Sequence, residues 1–206
     1  MNLEPRQIEQ LQQFLTRLEG ETYPEFPSQL HTDITAQLLD HFRSQFPLAP
    51  GARVLDVGCG QGPALDRFQS LGWRATGIAL NSEDVAMCRA KGHEVLPMDQ
   101  SFLDFPDSSF DLIWCRHCLE HSFAPFFTLC GFARVLRPQG YLYVEVPAPD
   151  TSCQHQTNAN HYSVLGKSMW IELMKRAGFT ILEILDINFR VAAGPDTYWA
   201  FILRRS

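Results

Sequence analysis

The stretch Arg53-Val54-Leu55-Asp56-Val57-Gly58-Cys59-Gly60-Gln61-Gly62, followed by Pro63, decides the fold of this chain. Its apolar first half has the length and β-branching of a buried strand. The three glycines at alternate positions let the backbone turn tightly and let a ligand approach the main chain. Pro63 suits the first turn of a helix, where its missing N–H costs nothing. A strand, a glycine turn and a helix N-terminus in this order predict a cofactor site of the nucleotide-binding type.

The spacing of the glycines separates the candidate cofactors. A dinucleotide fingerprint, G-x-G-x-x-G, would have its last glycine at position 63, where the chain has Pro63. A phosphate-binding loop would need Gly-Lys-Ser/Thr, which does not follow. The glycines at alternate positions 58, 60 and 62, which follow Asp56, resemble motif I of the class I S-adenosylmethionine-dependent methyltransferases. The resemblance implies that the methionine end of S-adenosylmethionine lies on this turn, bound by Asp56, Gly58, Cys59, Gly60 and Gly62.

Length and charge limit the class of protein. With 206 residues, of which 45% are hydrophobic, the chain can bury a full core as one domain, residues 1–206. No apolar run is long enough to span a bilayer, and Met1–Pro5 lacks the features of a signal peptide. The net charge of −6, with no basic cluster beyond Arg204-Arg205, argues against nucleic acid. We expect a cytoplasmic monomer or homodimer that acts on a small molecule, away from membranes.

The cysteines fit that expectation. Six are scattered along the chain, and Cys115 and Cys118 form a lone C-x-x-C. A zinc site would need a second such pair, and a redox motif should open a helix. We therefore expect six reduced thiols of a cytosolic protein and no metal on them.

The hydrophobic pattern predicts an α/β fold. An amphipathic helix at 6–19 is followed by a break at 20–27 and by a second helix, capped by Thr32 or Asp33, that stops at Pro47. These helices form an N-terminal helical cap over 1–49, and residues 50–206 form the α/β core.

Core strands are predicted at 53–57, 73–79, 93–97, 110–115, 140–146, 179–188 and 197–204, and helices at 63–71, 82–91, 123–136 and 164–177. Strands that alternate with helices run parallel, and the last two strands, which lack a helix between them, can form an antiparallel hairpin. The prediction is a doubly wound, Rossmann-like sheet of seven strands, mostly parallel with the last strand antiparallel, which is the sheet of a class I methyltransferase.

The segments after the second and third strands carry the expected adenosine site. Gly77–Asn81 resembles motif II, where an acid normally binds both ribose hydroxyls, but Ala79 occupies that position. Asn81 is a neutral substitute close by, and by resemblance Leu80 packs on the adenine ring. Motif III implies that Asp99 accepts the adenine amino group and that Gln100 contributes its backbone N–H. The missing acid leaves weak cofactor binding or a lost activity open.

The segment Arg116-His117-Cys118-Leu119-Glu120-His121 resembles the Leu-Glu-His segment of the small-molecule branch of these enzymes, called type 11. The resemblance assigns Arg116 to the cofactor site and brings His117 near the transferring methyl group. His117 and His121 would share a face if this turn is helical. A metal would still need one of the two histidines in the distant segment 155–161, so we expect none.

A polar loop before the last helix supplies the candidate general base. Asn158–Ser163 resembles the His-Tyr segment of sugar and natural-product methyltransferases. A histidine suits proton removal from a hydroxyl or an ammonium at neutral pH. His161 is the first choice for this base and His117 the second. Phe123 or Tyr162 can stabilise the sulfonium through an aromatic face.

Three functions remain open on the sequence alone. The leading one is methyl transfer to oxygen or nitrogen of a small molecule, such as a sugar or a secondary metabolite. The alternative is a catalytically weak or inactive relative that binds S-adenosylmethionine or S-adenosylhomocysteine as a scaffold or sensor, which Ala79 favours. A nicotinamide oxidoreductase is disfavoured by Pro63 and by the missing acid.

Overall fold

The computed structural model of the protein describes residues 2–20 and 28–206. Helix α1 (Pro5–Gly20) and helix α2 (Gln29–Gln45) form the N-terminal part. Most of the predicted break at 20–27 lies outside the described residues. The cap predicted at Thr32 or Asp33 is wrong, because the Ser28 hydroxyl accepts the His31 backbone N–H at 3.2 Å and starts the helix four residues earlier. None of the described helices has the length and apolar character needed to cross a membrane.

The remaining elements alternate as predicted. They are β1 (Arg53–Val57), α3 (Pro63–Ser70), β2 (Arg74–Ala79), α4 (Ser82–Ala90), β3 (Glu94–Pro97), β4 (Phe110–Arg116), α5 (Pro125–Val135), β5 (Leu136–Pro147), α6 (Lys167–Arg176), β6 (Phe179–Val191) and β7 (Gly194–Arg205). The seven strands have the order β3-β2-β1-β4-β5-β7-β6. Only β7 runs opposite to the other six strands, which confirms the predicted doubly wound sheet. The last two strands are longer than predicted, because they pair up to a tight turn at Ala192-Ala193.

The sheet separates two hydrophobic cores. Helices α2, α3 and α4 pack on one face, and α5 and α6 pack on the other. Side chains alternate between the faces with the period of two that a strand imposes. In β4, Leu112 and Trp114 enter the first core, while Ile113 and Cys115 enter the second.

The two N-terminal helices have different roles. In α2, Leu39 and Phe42 are buried in the first core, and the Phe42 ring meets the Trp114 ring edge-on at 6.3 Å. In α1, Phe14 is exposed and contacts Phe123 at 5.1 Å between ring centroids. The helical cap predicted for 1–49 is therefore divided, because α2 is a core helix and only α1 lies outside the cores. The single domain over 1–206 stays a prediction.

The order of the strands locates a crevice. The chain runs from β1 outward through β2 and β3, and then returns to the other side of β1 with β4. In open α/β sheets, ligands bind beside the carboxyl ends of the strands where the order reverses. The carboxyl ends of β1 and β4 mark that position here.

We predict that the two N-terminal helices contribute very differently to stability. Deleting residues 1–20 should change the free energy of unfolding by less than about 1 kcal/mol, since α1 buries little of its apolar surface. Phe42→Ala should lower it by about 3–5 kcal/mol, because it empties a fully buried site. Urea unfolding followed by circular dichroism measures both changes, and a truncated chain that fails to fold would contradict the first.

Candidate functional site

The glycine turn after β1 is held against the end of β2. The backbone N–H groups of Gly58 and Cys59 both donate to the Ile78 carbonyl, at 3.0 and 3.1 Å. Gly58 has a φ of +70°, and a Cβ there would lie 2.6 Å from Cys118 Sγ, so any other residue would strain the backbone and displace Cys118. Gly62 precedes α3 with a φ of +85° and packs on Cys88, away from the crevice.

One side of the turn faces a side cavity of about 70 Å³. Its walls come from α2, from the glycine turn and from the ends of β1 and β4; they are His31, Thr32, Thr35, Asp56, Gly58–Gln61, Pro63, Ala64, Trp114, Arg116 and His117. Asp56 Oδ2 and Arg116 Nη2 are buried here and have no hydrogen-bond partner among the described residues. Leaving such atoms unpaired costs about 1–3 kcal/mol each, and more when they are charged. A ligand with an ammonium and a carboxylate group would satisfy both.

The protonation of Asp56 reflects this setting. Burial, with the nearby Cys88 thiol, raises the pKa of the Asp56 carboxyl to about 8, although Arg116 opposes the rise. The carboxyl is therefore mostly protonated at pH 7 until a cation pairs with it.

The other side of the turn faces a main cavity of about 160 Å³. Gly58, Gly60 and His117 line both cavities. The rest of the main cavity comes from the ends of β2, β3 and β4, from α1 and from the loop before α6; its residues are Leu18, Ile78–Asn81, Asp84, Met98–Ser101, Cys118, His121, Phe123, Asn160 and Tyr162. All five residues predicted for adenosine are among them: Ala79, Leu80, Asn81, Asp99 and Gln100.

Some hydrogen-bonding capacity of these residues is already used. Asn81 Oδ1 caps α4 by accepting the backbone N–H groups of Glu83 and Asp84, at 2.9 and 3.3 Å. Asp99 Oδ1 accepts the Ser101 N–H at 2.7 Å. Gln100 donates through Nε2 to the Cys118 carbonyl at 2.7 Å, while its Oε1 is buried without a partner among the described residues. That amide oxygen is an acceptor available to a ligand amino group.

A buried carboxylate organises the end of β4. Glu145 is 0% exposed and stands beside Arg116 in the register of β4 and β5. Its carboxylate accepts from Arg116 Nε at 3.0 Å, from the Tyr143 hydroxyl at 2.8 Å and from His117 Nε2 at 2.5 Å. Burial opposes ionisation, but these three donors outweigh it and lower the pKa of Glu145 to about 2.

His117 is consequently a neutral imidazole in a fixed orientation. Burial, followed by the neighbouring Arg116 charge, lowers the pKa of His117 to about 4, against the pull of Glu145. The Tyr198 ring stacks on the imidazole at 4.1 Å, and the backbone holds a φ of +50°. Because ionised Glu145 can only accept, Nε2 carries the proton and Nδ1 keeps the lone pair. A residue of this kind can accept a proton.

His161 belongs to a separate histidine cluster. Its ring contacts those of His121 at 4.7 Å and His155 at 5.7 Å. Burial, followed by the two neighbouring histidines, lowers the pKa of His161 to about 4. His161 lines neither cavity, although Asn160 and Tyr162 on either side of it line the main one.

The condition under which His117 and His121 would share a helical face is not met. The only helical turn here is a short 3-10 segment at Leu119–His121, and His117 precedes it with its Nε2 on Glu145. Among the described residues, two other groups have ligand-type atoms within 4.8 Å of one another, Glu120–His121–His161 and Cys153–His155–Asp196. In the second, His155 Nε2 is 3.0 Å from an Asp196 oxygen, so a hydrogen bond already accounts for the contact. That the chain binds no metal stays a prediction.

Two residues of the site were missed by the sequence analysis. Glu145 interrupts the apolar pattern of β5, and a charge in a strand predicted to be buried was the available signal. His31 on α2 lies 5.2 Å from the His117 ring and lines the side cavity. Nothing in the helical pattern of α2 distinguished that histidine from a surface residue.

Comparisons with known proteins agree with this geometry. The family profile described as a methyltransferase domain matches residues 29–184. The 27-O-demethylrifamycin SV methyltransferase of Amycolatopsis mediterranei (strain S699) is 31% identical over 130 residues, which are 57% of this chain and 48% of that protein. A ubiquinone biosynthesis O-methyltransferase of Xanthomonas oryzae pv. oryzae (strain PXO99A) is 36% identical over 113 residues, 52% of this chain and 47% of that protein. The chain thus spans about half the length of these curated relatives.

Solved structures share the fold at low sequence identity. The [4+2]-cyclase SpnF has a TM-score of 0.71 and is 21% identical, with 97% of this chain and 95% of that one covered. At that identity the likeness shows the fold alone. Since the methyltransferase profile covers more than half of the chain, and the glycine turn lies at the reversal of the strand order, the chain belongs to the class I S-adenosylmethionine-dependent methyltransferases.

Proposed function

We propose that this chain binds S-adenosylmethionine and transfers its methyl group to an oxygen or nitrogen atom of a small molecule, such as a sugar or a secondary metabolite. The observation that carries the proposal is the pair of unpartnered buried atoms, Asp56 Oδ2 and Arg116 Nη2, beside the glycine turn. An α-amino acid has an ammonium for the first and a carboxylate for the second. The methionine end of the cofactor therefore fits the side cavity.

The main cavity fits the adenosine end. Leu80 offers an apolar surface for the ring, and Asp99 Oδ2 and Gln100 Oε1 offer acceptors for its amino group. Because Oδ1 of Asn81 is committed to capping α4, only its amide N–H donors remain for a ribose oxygen. When bound, the cofactor supplies a methyl group activated by a sulfonium, so the protein contributes chiefly alignment. The cofactor would be held at the turn by Asp56, Gly58, Cys59, Gly60 and Arg116. Gly62 would contribute indirectly, because it lets the backbone turn into α3.

His117 is the base that the geometry favours, with His161 second. It lines both cavities, it is neutral at pH 7, and Glu145 leaves its Nδ1 lone pair available. His161 has a comparably lowered pKa but lines neither cavity. This order reverses the preference drawn from the sequence. The names of the two curated relatives support oxygen as the methylated atom.

Ala79 supports a second candidate, a protein that binds the cofactor without efficient transfer. Without an acid at that position, the ribose would lack its usual charge-assisted hydrogen bonds, each worth roughly 1.5–3 kcal/mol. Binding of S-adenosylhomocysteine with no transfer to any hydroxyl or amine tested would favour this candidate. We also propose, from the sequence alone, a cytoplasmic monomer or homodimer with neither nucleic acid nor membrane as partner.

The glycine turn is tested by Gly60→Val. The side chain would enter the wall shared by both cavities, so S-adenosylhomocysteine affinity should fall by more than about tenfold in calorimetry. Gly72→Val is the matched control, because Gly72 also has a positive φ, +72°, but nothing within 4 Å of its Cβ position. Equal affinity in the two variants would contradict the assignment of the turn.

The side cavity is tested by proton release. Asp56 is mostly protonated at pH 7 in the free chain, and pairing with the cofactor ammonium lowers its pKa, so binding should release about one proton. Affinity should therefore rise from pH 6 to pH 8. Calorimetry in buffers of different ionisation enthalpy counts the protons, and Asp56→Asn should abolish the release. Binding without proton release in the wild-type chain would contradict this use of Asp56.

The base is tested by two alanine variants. Once an acceptor is identified by screening hydroxyl and amine compounds, His117→Ala should lower kcat by about a hundredfold or more. His161→Ala should leave kcat within a few fold, because its ring lies outside the cavities. Nitrogen NMR of the labelled protein should find the His117 proton on Nε2 and a titration midpoint near pH 4. The reverse pattern of kcat values would assign the base to His161.

A further inference from the structure

The main cavity, whose lining includes Ala79 in place of the usual acid, is also lined by a carboxylate from α4. Asp84, five residues further along the chain, lines the same cavity as Ala79, Leu80 and Asn81. It is only 3% exposed, which is unusual for an aspartate and requires compensation. Neither the motif comparison nor the sequence pattern singled it out.

The start of α4 explains how a carboxylate is kept there. Asp84 is the third residue of the helix, and its backbone N–H donates to the capping Asn81 Oδ1 at 3.3 Å. The positive end of the helix dipole favours a negative charge in this first turn. The carboxylate also lies close to the glycine turn: the pKa of the Cys59 thiol is raised, first by Cys88 and by burial, and further by nearby carboxylates that include Asp84.

The cavity offers few carboxylates that could accept from two hydroxyl donors. Among the described residues, Asp84 and Asp99 are the two acids that line it. Asp99 follows β3, where the adenine ring is expected, and one of its oxygens holds the Ser101 N–H. Asp84 lies in α4, which follows β2, and the family resemblance places the ribose at the end of that strand.

We propose that the Asp84 carboxylate binds the ribose hydroxyls of the cofactor, in place of the acid that is absent at Ala79. In this arrangement the acid comes from the first turn of α4 and not from the end of β2, and it lines the same cavity. This assignment rests on the proposed function. It implies that Ala79 does not by itself indicate a lost activity.

The test compares Asp84→Asn with Glu83→Gln in calorimetric titrations with S-adenosylhomocysteine. Both variants replace an acid in the first turn of α4 by its amide, but Glu83 is exposed and does not line the cavity. Asp84→Asn should weaken binding by about ten- to a hundredfold, as expected for lost charge-assisted hydrogen bonds. Glu83→Gln should change it by less than about threefold, as expected for an exposed charge at a helix start.

A ligand lacking the 2′-hydroxyl separates recognition from a structural effect. The wild-type chain should bind 2′-deoxy-S-adenosylhomocysteine at least about tenfold more weakly than the parent compound, whereas Asp84→Asn should bind the two almost equally. Adding Ala79→Asp to Asp84→Asn should restore much of the affinity, since it returns an acid to the same cavity.

The outcomes distinguish the two proposals. Wild-type affinity in Asp84→Asn, or an equal discrimination of the two ligands by wild type and variant, would overturn the role of Asp84 and leave the proposed function standing. A wild-type chain that binds no S-adenosylhomocysteine would overturn the proposed function and this role with it.

Discussion

The carboxylate of Glu145 is fully buried in the sheet, so its charge must be compensated where it lies. Arg116, His117 and Tyr143 provide that compensation from β4 and β5. Removing one partner from such a buried charge typically costs about 3–5 kcal/mol. The carboxyl end of β4 can therefore adopt this arrangement and few others, and both cavities are built against it.

This constraint connects stability with the proposed chemistry. Arg116 donates from Nε to Glu145, while its buried Nη2 has no partner among the described residues and is available to a ligand in the side cavity. One guanidinium therefore joins the carboxylate network to the expected methionine site. His117 donates from Nε2 to the same carboxylate, and this hydrogen bond fixes the tautomer of the proposed base. A displacement of Glu145 would disturb both Arg116 at the expected methionine site and the proposed base His117. Cofactor binding and proton removal therefore depend on the same network.

The sequence predicted what is encoded locally. The glycine turn, the Pro63 helix start and the strand periodicities lie within windows of about ten residues, and they sufficed for the seven-stranded sheet. The Glu145 network could not be predicted, because it joins residues 28 or 29 apart through strand register. The cap of α2 was missed because three neighbouring polar residues suit that position almost equally. The burial of α2 was missed because an amphipathic helix does not reveal which surface it covers.

The proposed role of Asp84 accounts for the absence of an acid at position 79. Asp84 and Asp99 already line the main cavity, while Asp56 and Arg116 line the side cavity. A further carboxylate at 79 would line the same cavity as Asp84, and like charges at short range raise the cost of ionising either one. Under this proposal, Ala79 at the strand end and Asp84 in the first turn of α4 complement each other, because the helix supplies the acid that the motif usually places on the strand.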